Sequence, residues 1–237
     1  MTITLIRPAV LFSALVLCAP PARSEDTNVL TGAERADGWR LLFDGVSLSG
    51  WRGLASPNPG AGWKVIYGAI VRTAKSGDLV TAGEFGDFEL SIDWKVERAA
   101  NSGILYRVSL AGKEAFHTGP EYQILDVTGA KDLVDPKHET GALYDLVAPP
   151  RDLARPVGAW NHALIVVRGW HIEHWLNGEK IVDADLGSAE GRDLIAHSKF
   201  RAWPPFATFA RGHIALQDHD NSVSFRNIKI RETPGVR

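Results

Sequence analysis

Apolar and polar residues alternate with a period of two through nine short stretches: 39–45, 63–72, 87–97, 102–108, 121–127, 161–169, 171–186, 212–219 and 223–232. Alternation of this kind puts every second side chain on one face of a pleated strand, so these stretches predict strands half-buried in a sheet. Glycines punctuate them, and "LNGE" at 176–179 predicts a tight hairpin, because Asn177 and Gly178 both tolerate positive φ. The fold class that follows is all-β, a two-sheet antiparallel β-sandwich.

Two segments break the alternation. Residues 188–200, "SAEGRDLIAHSKF", predict a short helix capped by Ser188. Residues 128–160 are rich in Pro and charge, and a connection of that length inside one domain usually carries function.

The N-terminus reads differently. Arg7 precedes the apolar run Ala9 to Cys18, and Ala22 and Ser24 stand at the small-residue positions of a signal-peptidase site. Residues 1–24 therefore read as a signal peptide, 25–37 as a leader of the mature chain and 38–237 as a single domain, with a periplasmic or secreted destination. The apolar run is too short for a membrane span, which needs about 20 residues. Cys18 is the sole cysteine of the 237 residues, and Leu17 before it disfavours acylation there. Once the signal is removed, thiol catalysis and thiolate metal sites are excluded. With 26 Lys+Arg against 28 Asp+Glu and no basic block, nucleic acid is excluded as a partner. Eight Trp in an exported β-rich chain tilt instead toward carbohydrate; most belong in the core, with one or two left to line a groove.

"GPEYQILD", residues 119–126, resembles the catalytic strand of a sandwich glycosidase but carries one acid where two are expected. Glu121, Gln123 and Leu125 share one face; Tyr122, Ile124 and Asp126 share the other. A retaining glycosidase needs two carboxyls about 5 Å apart, and this strand offers Glu121 with an amide in place of the second. "ALQDHD" places Gln217 and His219 on one face, and His219 has proton chemistry near neutrality. In "HIEHW", His171, Glu173 and Trp175 share a face opposite to His174, whose apolar flanks suit a core histidine. Arg107, alternating with Gly103 and Leu105, can present a fixed cation to an oxyanion, or form a surface ion pair. Tyr144 adds a phenol at the end of the long segment.

Seven motifs, in order, carry a wider resemblance: "LFDGVSLSGWRG", "GWKVIYGAIV", "DFELSIDWKVERAANSGILYRV", "EYQILD", "TGALYDLVAPP", "GAWNHALIVVRGWHIEHWLNGEKIV" and "GHIALQDHDNSVSFRNIKIRE". From Gly38 to Glu232 the chain resembles the 3-keto-disaccharide hydrolase domain family. The resemblance implies a concanavalin A-like jelly roll acting on 3-keto-glycosides or related glycosides. It also implies polar motif positions at Asn101, Arg107, Glu121, Gln123, Asp126, Tyr144, Asn161, His174, Gln217, Asp218 and His219. Asp220 departs from the pattern, which commonly has Gly there.

A 3-keto sugar makes a single carboxylate intelligible, since the ketone acidifies the C2 proton and the C1 substituent can leave by elimination. On that reading Glu121, His219, Arg107 and His174 are the catalytic candidates, with Glu121 or His219 as base. Gln123, Tyr144, Asn161, Gln217, Asn101 and Trp175 are the substrate-binding candidates. A divalent metal ion is the alternative enolate stabiliser, with Glu121, Asp218 and His219 as candidate ligands. Two rival functions stand beside it: a carbohydrate-binding module without catalysis, and an ordinary endoglucanase using Glu173 or Asp218 as the second acid.

Overall fold

A computed structural model describes residues 27–126, 128–129, 135–219 and 221–233. The expected signal peptide, Cys18 and Asp220 lie outside the described residues. The chain folds as the expected two-sheet antiparallel sandwich. Among the described residues thirteen strands run in order: β1 (Arg40–Leu41), β2 (Trp51–Gly53), β3 (Trp63–Ile66), β4 (Ala69–Arg72), β5 (Leu79–Thr81), β6 (Phe88–Val96) and β7 (Asn101–Val108). Then follow β8 (Glu121–Leu125), β9 (Asn161–Arg168), β10 (His171–Leu176), β11 (Glu179–Asp185), β12 (His213–Leu216) and β13 (Val223–Glu232).

The larger sheet has the order β11-β10-β9-β6-β13-β4-β3, with β1 also paired to β13; the smaller has β2-β5-β12-β7-β8. Between them lies one apolar core, fed by alternate residues of each strand. β6 shows this plainly, with Phe88, Leu90, Ile92, Trp94 and Val96 buried and the residues between them half-buried. A second, smaller apolar cluster of Leu54, Val80, Leu105, Val108, Ala115 and Ala215 covers the outer face of the smaller sheet.

The stretch 63–72 is two strands, β3 and β4, because Tyr67 (φ 49°) and Gly68 (φ 73°) turn the chain between them. The predicted hairpin forms at Asn177 (φ 51°) and Gly178 (φ 92°). β2 and β5, three residues each, are too short to show a period and were not expected. The helix forms as α2 (Ala189–His197), after α1 (Gly32–Ala36), with Ser188 Oγ accepting the Gly191 N–H at 2.9 Å. Among the described residues no helix is long and apolar enough to cross a membrane.

Part of the long segment pairs with β8. Gly141 N–H donates to Gln123 O (2.8 Å), Gln123 N–H to Ala142 O (3.1 Å) and Tyr144 N–H to Glu121 O (3.1 Å). β8 is thus covered on its outer side, and all five of its residues are buried.

Candidate active site

On the outer face of the smaller sheet a hollow of about 130 Å³ is lined by Asn101, Phe116, Glu121, Gln123, Tyr144, Lys199, Gln217 and His219. It has room for roughly four waters, so only one edge of a sugar ring enters it. Six of these residues were expected from the sequence; Phe116 and Lys199 were not. The aromatic walls are Phe116 and Tyr144, with no Trp among the lining residues.

Glu121 is the one carboxyl in this lining. Its side chain lies over Gly103, where any Cβ would sit 2.1 Å from Glu121 Oε1. The missing side chain of Gly103 is therefore what lets the carboxyl occupy the floor of the hollow. The Gln217 side chain hydrogen-bonds this carboxyl. In the amide orientation that satisfies its neighbours, Gln123 Nε2 donates to Glu121 Oε1 at 3.0 Å and to Ser102 O at 3.2 Å. Burial pushes the Glu121 carboxyl up to about 8; the Lys199 charge opposes this and the charge of Asp78 adds to it. Glu121 is therefore mostly protonated at neutral pH.

Lys199 reaches the hollow from the turn after α2. Its backbone N–H donates to Asp145 Oδ2 (2.7 Å), and its ammonium lies 4.1 Å from the Tyr144 ring centre and 5.1 Å from that of Phe116. Burial pulls Lys199 below the usual lysine range, against the charges of Glu121 and Asp145. Tyr144 is held on its other side by the His138 ring, stacked at 4.6 Å, and burial raises its phenol.

Five expected residues stand elsewhere. Arg107 was placed on the groove face by alternation, but its φ is 53° and the β7–β12 register shifts beside it. The bulge turns its guanidinium to the end of the sandwich, where it donates to Gly86 O (3.1 Å), Gly169 O (2.6 Å) and Asp87 Oδ1 (2.8 Å). His174 lies in the sealed core, its Nε2 2.9 Å from the Tyr106 hydroxyl and its Nδ1 3.0 Å from Gly141 O. Asn161 is buried on β9, where Oδ1 accepts the Arg155 N–H (2.8 Å) and Asn177 Nδ2 (2.9 Å), tying a loop to the hairpin. Trp175 is on the outer face of the larger sheet, its Nε1 donating to Glu173 Oε2 at 2.8 Å. Asp218 bonds Arg72 Nε at 2.6 Å and accepts the Ser76 and Gly77 N–H groups, so its carboxylate is not turned to the hollow.

These positions also remove the endoglucanase pairs. Glu173 and Glu121 lie on opposite outer faces of a sandwich whose sheets are about 10 Å apart, and Asp218 is engaged. Of the metal candidates, Glu121 and His219 line one hollow and Asp218 does not. Among the described residues, the clusters with ligand atoms in reach of one another are Asp135, His138, Asp145 and His171, Glu173, Asp183.

A larger hollow of about 430 Å³ lies beside Trp94, Leu125, Asp126, Asp152 and Arg155. Its ionisable groups are tied to neighbouring backbone: Asp126 accepts from Ala99 and Thr128, Asp152 from Ala154, and Arg155 donates to Trp160 O. The convergent polar groups are in the smaller hollow, which is the candidate site.

Residues 38–231 match the family described as the 3-keto-alpha-glucoside-1,2-lyase-like domain. A 3-keto-disaccharide hydrolase of Bacteroides thetaiotaomicron is 31% identical over 228 residues, spanning 83% of this chain and 79% of the relative. A solved structure of a candidate glycosyl hydrolase from Parabacteroides distasonis is 34% identical, with a TM-score of 0.82, covering 88% of this chain and 100% of that one. Another candidate glycosyl hydrolase from the same organism is 27% identical, with a TM-score of 0.68, covering 82% of this chain and 99% of that one.

Proposed function

Because the chain belongs to the 3-keto-alpha-glucoside-1,2-lyase-like family of glycoside-cleaving enzymes, we propose that its substrates are 3-keto-glycosides, cleaved by elimination at C1 and completed by addition of water. The observation that carries this reading is Glu121: one buried carboxyl, protonated at neutral pH, flanked by amides and a cation where a second carboxylate would otherwise stand.

Double displacement needs an ionised nucleophile about 5 Å from an acid, and Glu121, itself mostly protonated, is the one carboxyl that lines this hollow. A 3-keto sugar needs less, because its C2 proton is already acidified. Loss of that proton gives an enolate, whose oxygen calls for positive charge, and departure of the C1 substituent calls for a proton. Lys199 supplies the charge and Glu121 the proton. Asn101, Gln123, Gln217 and the Tyr144 phenol sort the ring hydroxyls. His219 stands on the exposed rim as a proton-transfer group.

The test is to incubate the purified protein with matched pairs of glycosides and 3-keto-glycosides, with and without chelator, and measure released aglycone. Release from the keto forms alone is expected. Equal release from both forms would indicate an ordinary glycosidase, and saturable binding without product a binding module; either sinks the proposal.

A further inference from the structure

Glu121 has no second acid on its own strand, but one faces it across the sheet. Val80 on β5 pairs with Ala215 on β12, Ala215 with Leu105 on β7, and Leu105 with Glu121 on β8. Two residues along, on the same face, the row reads Asp78, Gln217, Gly103, Gln123. Gln217 N–H donates to Gly103 O at 3.0 Å, Asp218 N–H to Asp78 Oδ1 at 2.8 Å, and Gly103 pairs with Gln123. The Glu121 carboxyl already leans over Gly103, two strand spacings, or roughly 10 Å, from the position of Asp78. Carboxyl pairs that work from opposite sides of a sugar are about 6.5–9.5 Å apart.

Asp78 is also open to ligand from its other side. It lines an adjoining hollow of about 340 Å³ that includes Asn58, Ser76, Lys113 and Glu114. The linings of the two hollows are neighbours in the fold: Gln217 of one stands beside Asp78 of the other in the strand register, and only Ala115 separates Glu114 of one from Phe116 of the other.

We propose that Asp78 is the second catalytic carboxylate of this site, accepting the C2 proton while Glu121 gives its proton to the leaving oxygen; this rests on the 3-keto-glycoside reading. Asp78 forms an O–H bond to the departing C2 proton, and the C–H electron pair becomes the C2=C3 bond of the enolate. That enolate then re-forms C3=O, the C1=C2 bond forms, the C1–O bond breaks, and the leaving oxygen takes the proton of Glu121. Water addition reverses the roles: ionised Glu121 takes a proton from water as it bonds to C1, and Asp78 returns its proton to C2. Both carboxyls finish as they began, and the sum is hydrolysis.

The electrostatics match this division. Burial pushes Asp78 up to about 6, helped by the charges of Glu114 and Asp218 and opposed by N–H groups of Asp218 and Ala115. Arg72, paired to Asp218, and Lys113 complete the charged groups around it. With Glu121 at about 8, one carboxyl is ionised and the other protonated at pH 7, as an acid–base pair requires.

Asp78→Asn tests this, because it removes the charge while the amide oxygen still accepts the Asp218 N–H. The expected result on a 3-keto-glycoside is a kcat lower by about 10²–10⁴-fold, KM near wild type, and loss of the acid limb of the pH–rate profile near pH 6. A kcat within about threefold of wild type, or a loss that follows thermal stability with both limbs intact, overturns the inference. Carboxyl NMR titration reads the pairing without turnover: Glu121 should titrate lower in Asp78→Asn, and an unchanged midpoint counts against the two residues facing each other. Wild-type inactivity on every 3-keto-glycoside overturns the substrate reading and Asp78's role with it; wild-type activity that Asp78→Asn leaves intact overturns this inference alone.

Discussion

Glu121 and His174 are both ionisable and both nearly sealed from water, with exposures of 3% and 0%. Burial drives each toward its neutral form, Glu121 up to about 8 and His174 down to about 4. They differ in what each still has to offer. His174 has a partner for both ring nitrogens, since its Nδ1–H faces the Gly141 carbonyl and its Nε2 faces the Tyr106 hydroxyl. The Tyr106 and Tyr122 rings pack around it at 5.9 and 4.8 Å. Glu121 has amide partners on one side, but its other side meets a hollow and a cation. A buried titratable group with all its partners is part of the core; the same kind of group beside an opening can exchange a proton with a ligand.

The largest effect expected from that difference is at Glu121. Glu121→Gln keeps the shape and removes the proton donor, so turnover should fall by about 10³–10⁴-fold, or about 4–5.5 kcal/mol. Stability should move the other way. Between pH 4.5 and about 8 the folded state holds a proton on Glu121 that the unfolded chain has lost, so wild-type stability falls as pH rises through this window. The shift corresponds to at most about 5 kcal/mol. Thermal melts from pH 5 to pH 9 should show the variant gaining on wild type as pH rises; parallel curves would refute the buried carboxyl.

Most of the sandwich was legible because alternation is a local property, read one strand at a time. The same property put Glu121 with Gln123, and Gln217 with His219, on shared faces, and these four line the hollow together with Asn101, which only the family resemblance had pointed to. It failed at Arg107 because one left-handed residue inverts the faces beyond it, and nothing in "SGILYRV" marks that residue. Alternation alone suited His174 to the core, where it lies; the family resemblance set it and Asn161 among site positions, and the partners that hold them, Tyr106 and Gly141 for one and Arg155 and Asn177 for the other, are not marked by any local pattern. Lys199 and Asp78 escaped notice for a third reason. One follows a helix and the other precedes a three-residue strand, so only the tertiary fold and the strand register bring them toward Glu121.

His174 gives the next largest effect, and it should fall on stability alone. His174→Leu leaves the Tyr106 hydroxyl and the Gly141 carbonyl without their partner inside the core, a loss of about 2–4 kcal/mol. Activity per folded molecule should stay at the wild-type level. The pH dependence has the opposite sense to that of Glu121. Between pH 6.5 and about 4 the unfolded chain protonates this histidine and the folded chain does not, so wild-type stability falls as pH drops. The variant lacks that slope, and its deficit should narrow toward pH 4 in denaturant titrations. A lowered kcat in fully folded His174→Leu would return the residue to the site.

Gly103 sharpens the comparison with the smallest change, a single methyl. Its φ lies outside the left-handed region, so alanine suits the backbone, and what the methyl meets is the Glu121 side chain, Oε1 at 2.1 Å, Cδ at 2.7 Å and Cγ at 2.8 Å. The same methyl at Gly212 would meet the Arg107 carbonyl carbon at 2.4 Å, a backbone atom that cannot step aside. Gly103→Ala should therefore fold at a smaller cost than Gly212→Ala while pushing the Glu121 carboxyl off the floor by an ångström or more. Misplacement on that scale costs about 10–100-fold in kcat, or about 1.4–2.7 kcal/mol. The displaced carboxyl also parts from Gln123 and Gln217, so the upper limb of the pH–rate profile, near 8 in wild type, should move. Wild-type kcat with an unmoved profile would mean that the carboxyl acts from somewhere other than the space above Gly103.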